Sequence, residues 1–122
     1  MRMLEMHIGV KDLEKSVEFY TKLLPHEKII SDDEKKQYFI VLHDGSAFGI
    51  WEDAYHGLYE GLPAKHLHFA FEIKPDEYDE FKKKLESLGV EVIEHTWRDG
   101  ERSLYFFDAD GHQGEFMTKS WL

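Results

Sequence analysis

The chain predicts an α+β fold of two βαβββ repeats, whose curved mixed sheets carry their helices outside and surround a central cavity. Three observations carry that expectation. Short runs alternate apolar and polar residues, as strands with one buried face do. Between them lie two stretches with apolar residues three and four apart, the stripe of an amphipathic helix. The whole order then occurs a second time, and an internal repeat outranks any single residue in deciding a fold. The 122 residues suffice for one domain with a real core. They divide into a first module over about 1–55, a linker over 56–64 and a second module over 65–122.

In the first module, MLEMHIGV over 3–10 alternates, with Leu4, Met6, Ile8 and Val10 on one face and Glu5, His7 and Gly9 on the other. Asp12 is a good N-cap, and Leu13, Val17, Tyr20 and Leu24 form the stripe of a helix that Pro25 closes. His26 to Ser31 reads as a short strand before a charged DDEKK turn. Gln37 to Leu42 and Ala47 to Trp51 form a hairpin around His43-Asp44-Gly45-Ser46. Gly57, Gly61 and Pro63 mark the linker.

The second module begins with HLHFAFEI over 66–73. Leu67, Phe69, Phe71 and Ile73 share one face, and His66, His68, Ala70 and Glu72 the other. Asp76 is expected to cap a helix striped by Tyr78, Phe81, Leu85 and Leu88 and ended by Gly89. A strand over Val90 to His95 and a polar loop over Arg98 to Arg102 lead into SLYFFDADGHQGEFM, a hairpin turning at Asp108, Asp110 and Gly111. VEFYTKLL matches DEFKKKLESLG, with Phe19 against Phe81. DGSAFGIW matches DGHQGEFM.

Composition excludes several functions. Apolar residues make up 42 % and aromatics 15 %, so the chain folds. No apolar run approaches the roughly 18 residues that span a bilayer, and no membrane partner is expected. Fifteen Lys and Arg against 25 Asp and Glu give a net charge of −10, which argues against nucleic acid. The absence of cysteine excludes disulfides and thiolate metal sites and suits a cytoplasmic protein.

The repeat points at chemistry. Glu115 sits among apolar neighbours on the last strand, and burying a carboxylate there is costly unless something pairs with it. A metal ion, an arginine or a substrate cation would do so. Superposing the first strands of the two modules sets Glu5 against His68, and superposing the hairpins sets Gly49 against Glu115. Three of these four inward positions can bind a metal. A direct His68–Glu115 hydrogen bond would also satisfy both groups, and Glu5 could pair with His7 or His66.

V10KDLEKSVEFYTKLL24, H68FAFEI73 and S103LYFFDADGHQGE115 together resemble the vicinal oxygen chelate superfamily. That group includes glyoxalase I, fosfomycin- and bleomycin-resistance proteins, extradiol dioxygenases and methylmalonyl-CoA epimerase. The resemblance covers nearly the whole chain and is nearest in motif to the fosfomycin-resistance proteins. It implies paired βαβββ modules around a cavity, usually completed in a homodimer. It also implies a divalent ion, Mn²⁺, Zn²⁺ or Fe²⁺, held by Glu5, His68 and Glu115. Glu5 is a departure, since the family usually has His there, and Gly49 replaces the fourth ligand of glyoxalase I. Two carboxylates and one imidazole neutralise a divalent ion and favour a harder metal.

The implied activity is lyase, isomerase or epoxide-opening chemistry on a small oxygen-bearing substrate, including antibiotic resistance. His7, His66 or Tyr105 would move the proton. Trp51, Arg98, Arg102 and Ser103 would hold substrate. His112 belongs to the turn signature, and Lys119 and Trp121 to a short tail. The alternative is a metal-free protein of the bleomycin-resistance kind, sequestering a cationic aromatic drug in an acidic groove with Trp51 and Trp97.

Overall fold

The computed structural model describes residues 3–34, 36–52 and 68–119; the linker, His66 and Trp121 lie outside them. The chain divides into two compact units, Met1–Pro63 and Ala64–Leu122. Each holds one four-stranded sheet and one long helix.

The first unit runs β1 (Glu5–Val10), α1 (Leu13–Leu23), β2 (Lys28–Asp32), β3 (Gln37–Val41) and β4 (Ala47–Glu52). Its sheet has the order β1-β4-β3-β2, with β1 parallel to β4 and the other pairs antiparallel. A parallel pair needs a long crossover, and α1 with β2 and β3 supplies it. Asp12 caps α1 as expected, its carboxylate accepting from the Lys15 amide at 3.1 Å. Of the expected stripe, Tyr20 and Leu24 are buried and Leu13 and Val17 half-buried, and Ser16 and Leu23 are buried beside them. Tyr20 packs on Phe48, ring centroids 4.8 Å apart, over Ile8, Val10, Ile40 and Ile50.

The second unit repeats the order as β5 (His68–Glu72), α2 (Tyr78–Ser87), β6 (Ile93–Thr96), β7 (Arg102–Phe107) and β8 (Gln113–Met117). Its sheet is β5-β8-β7-β6, again with the first pair parallel. Asp76 does not cap α2. Pro75 opens a single 3₁₀ turn over Pro75–Glu77 instead, and Glu77 accepts from the Lys74 amide at 2.8 Å. Proline with its fixed φ suits such a first position. Tyr78, Phe81 and Leu85 are buried as the stripe requires. Phe81 lies 4.5 Å from Phe116, which stacks in turn on Phe106. The Phe106 ring occupies the room a Cβ at Gly114 would need, so that glycine is fixed by packing.

The parallel ladders test the repeat independently. His7 pairs with Gly49 in β1·β4, and Ala70 pairs with Glu115 in β5·β8. Setting Gly49 against Glu115 therefore sets His7 against Ala70 and Glu5 against His68, as superposing the first strands does.

Candidate metal centre

In the second unit, β8 directs Glu115 to the sheet face opposite Phe116, because side chains alternate along a strand. Glu115 is 4 % exposed, and its carboxylate accepts from side chains of β5 and β7. His68 Nε2–H on β5 donates to Oε2 at 2.8 Å, and the Ser103 hydroxyl on β7 donates to Oε1 at 2.7 Å. Trp97 Nε1–H donates to the Ser103 hydroxyl at 2.9 Å. Charge-assisted hydrogen bonds of this kind offset the cost of burying the carboxylate.

A recess of about 440 Å³ opens over this cluster, lined by His68, Ala70, Trp97, Tyr105, Glu115, Met117 and Lys119. Tyr105 stands opposite Glu115 in the β7·β8 register, its ring 6.0 Å from that of His68. Burial, then the Glu115 charge and hydrogen bonding to that carboxylate, push the Tyr105 phenol above its ordinary value. It therefore keeps its proton at neutral pH. Trp97 reaches the recess because the turn at 97–101 folds back, Trp97 N–H donating to Glu101 O and Gly100 N–H to Trp97 O. Lys119 Nζ pairs with Asp99 of the same turn at 2.9 Å.

The first unit gathers a different set. Trp51 Nε1–H donates to His7 Nδ1, and His7 Nε2 lies 3.3 Å from Glu5 Oε1. Glu5 is half exposed, its side chain retaining 48 % of its accessible surface. Gln37, opposite Trp51 in register, is 6 % exposed, and its Oε1 has no hydrogen-bond partner.

The expected site residues thus fall into two groups. His68, Ser103, Tyr105 and Glu115 meet in the second unit, and Glu5, His7 and Trp51 in the first. Ser103 is fully buried and bonded on both sides, so it acts on Glu115. Arg102 lies over the Tyr78 ring, 3.7 Å from its centroid, and Arg98 is exposed on the loop. Sequence reasoning missed Trp97 as the donor to Ser103. The only signal for it was an indole shortly before a serine at a strand start.

The donor chemistry fits a divalent ion. Ligand bonds of about 2.1 Å meeting near a right angle put two donor atoms about 3 Å apart, close to the 2.8 Å between His68 Nε2 and Glu115 Oε2. His68 and Glu115 are a pair, whereas among the described residues Asp108, Asp110 and His112 form the one group of three ligating side chains close enough for a cation. Hydrogen bonds of the turn account for it: Asp108 Oδ1 accepts from the amides of Asp110 and His112, and Oδ2 from His112 Nδ1.

A sheet with one parallel edge pair, made twice, defines the class of duplicated βαβββ folds. The chain belongs to the Glyoxalase/Bleomycin resistance protein/Dioxygenase superfamily, whose family model matches residues 2–116. It is 33 % identical over 112 residues to the metallothiol transferase FosB of Lysinibacillus sphaericus, covering 90 % of this chain and 77 % of that protein. It is also 33 % identical over 112 residues to the fosfomycin resistance protein FosX of Listeria monocytogenes, covering 84 % and 78 %. Among solved structures it resembles a mutant of that FosX complexed with Mn(II) and 1S,2S-dihydroxypropylphosphonic acid. There the TM-score is 0.77 at 28 % identity, over 99 % of this chain and 91 % of the other. No helix of the described residues is long and apolar enough to cross a membrane.

Proposed function

We propose that the chain is a divalent-metal-dependent enzyme that opens an epoxide on a small anionic substrate of the fosfomycin type. The observation that carries the reading is the buried Glu115 carboxylate, bonded to His68 at the floor of an open recess. In this reading His68 and Glu115 hold the ion, and Glu5, at the family's first ligand position, completes the set from this chain or from its copy in a homodimer. The Mn(II) and phosphonate diol in the FosX complex support both metal and substrate class.

When bound, the ion supplies Lewis-acid stabilisation of the oxygen released as the ring opens. The residues of this chain do the rest. Ser103 holds Glu115 Oε1, so the atoms that would hold the ion are Oε2 and His68 Nε2, 2.8 Å apart. Tyr105, still protonated at neutral pH, donates a hydrogen bond to a substrate oxygen. Trp97 and Met117 keep water off one wall, and Lys119 at the rim attracts an anionic group. His66 lies outside the described residues, and Trp51 donates to His7 Nδ1.

The test is metal content and Mn²⁺ titration of the parent protein, His68→Ala and Glu115→Ala, followed by fosfomycin consumption with water or a thiol as nucleophile, read by phosphorus NMR. Binding of Mn²⁺ by the parent, at least about 10-fold weaker in both variants, and metal-dependent consumption are expected. A parent protein that binds no divalent ion refutes the reading and favours metal-free drug binding. Sedimentation tests the homodimer.

A further inference from the structure

We propose that His7 is a positioning residue for Glu5: it stands in the room of the missing side chain at position 49 and fixes the direction of the carboxylate. The inference rests on the reading that Glu5 is a metal ligand, and it concerns the first unit alone.

The proton on His7 is placed by its neighbour. An indole N–H only donates, so His7 Nδ1, which faces Trp51 Nε1, is the acceptor. The neutral ring then carries its hydrogen on Nε2, and Nε2 lies 3.3 Å from Glu5 Oε1. The imidazole N–H therefore lies beside the carboxylate, a polar contact at ion-pair distance rather than an aligned hydrogen bond.

The ring is also held in place. A Cβ at Gly49 would come within 2.5 Å of His7 Nδ1 and 2.9 Å of Cε1, so the imidazole packs directly on the β4 backbone. Phe39 meets it edge-on with ring centroids 5.3 Å apart, and Trp51 lies tilted against it at 5.4 Å. In the second unit the same two register positions hold Ala70 and Glu115. The large polar group stands on the outer strand in one unit and on its neighbour in the other. A glutamate in the family's histidine position has one more rotatable bond and two equivalent oxygens. A polar ring beside one oxygen restricts the carboxylate and leaves the other oxygen for the ion, the usual work of a group behind a ligand.

The experiment is Mn²⁺ titration followed by electron paramagnetic resonance on the full chain. The parent is compared with Glu5→Gln, His7→Phe, which fills the same room without a donor, and Trp51→Phe, which keeps a ring but not the N–H. Nitrogen NMR of the imidazole reports the tautomer without metal. Expected are an Nε2–H tautomer in the parent, lost in part in Trp51→Phe, and affinity weakened about 10-fold by His7→Phe. Trp51→Phe should weaken it less, and Glu5→Gln at least as much as His7→Phe. Parent-like Mn²⁺ affinity in His7→Phe, or an Nδ1–H tautomer in the parent, overturns this inference alone. No Mn²⁺ binding by the parent overturns it together with the metal reading.

Discussion

The two units share one topology and one register, yet they treat their carboxylates oppositely. The second buries Glu115 to 4 % exposure and surrounds it with His68 and Ser103, the latter backed by Trp97. The first leaves Glu5 half exposed with one neighbour, His7, backed by Trp51. In each, an indole N–H begins a chain of polar contacts that ends on an acid. The difference shows that duplication conserves the scaffold and the direction of side chains, while the polar group itself can change strands. A buried carboxylate must have its donors built in; an exposed one has water and needs only orientation.

The sharpest way to break the comparison is to impose the second pattern on the first unit. Gly49→Glu places a Cβ against His7, and overpacking of this kind costs about 1–3 kcal/mol. Removing the obstacle should restore much of that loss. In a double-mutant cycle, Gly49→Glu with His7→Ala is expected to be more stable than the single effects sum to, by about 1 kcal/mol or more. Urea denaturation measures it; strict additivity would show that His7 does not occupy that room.

A smaller effect separates the two acids. Ser103→Ala removes a donor from Glu115 and the acceptor of Trp97 Nε1–H, so a loss of about 1–2 kcal/mol is expected. Glu5→Ala, at a half-exposed position, should stay within about 0.5 kcal/mol. Equal losses in thermal or urea melts would mean that the buried network contributes no more than the exposed pair.

Much of this was legible in the chain. Alternation and helical stripes located the eight strands and two α-helices of the described residues, and the repeat set Glu5 against His68 and Gly49 against Glu115 in the register the ladders show. The direct His68–Glu115 and Glu5–His7 contacts were among the pairings the residues left open. What stayed hidden depends on loops and on contacts across strands. Trp97 reaches Ser103 through a turn closed by main-chain hydrogen bonds and by Lys119 on Asp99, which no periodicity reports. Arg102 starts β7 and finds the Tyr78 ring from α2, a partner 24 residues earlier in the chain. Asp76 looked like a cap because its residue type suits one; Pro75 opening a 3₁₀ turn displaced that start by two positions. The Gln37 acceptor without a partner could be found only once the strands were assembled.

The smallest effect belongs to the helices and appears only in alkali. Aligning Phe19 with Phe81 sets Ser16 of α1 against Tyr78 of α2, and both are buried, so only the second unit places an ionisable group there. Burial first, then the hydrogen bond to Glu94 and the charge of that carboxylate, push the Tyr78 phenol up from 10.0 to about 12. The folded value lies above the unfolded one. The stability this group contributes is therefore fully present below pH 10 and declines as pH rises through about 12. Spectrophotometric titration should show a late-ionising phenol that is lost in Tyr78→Phe, and alkaline unfolding of that variant should depend less on pH. A Tyr78 that ionises at the ordinary tyrosine value would mean that Glu94 and the α2 packing do not hold the hydroxyl as described.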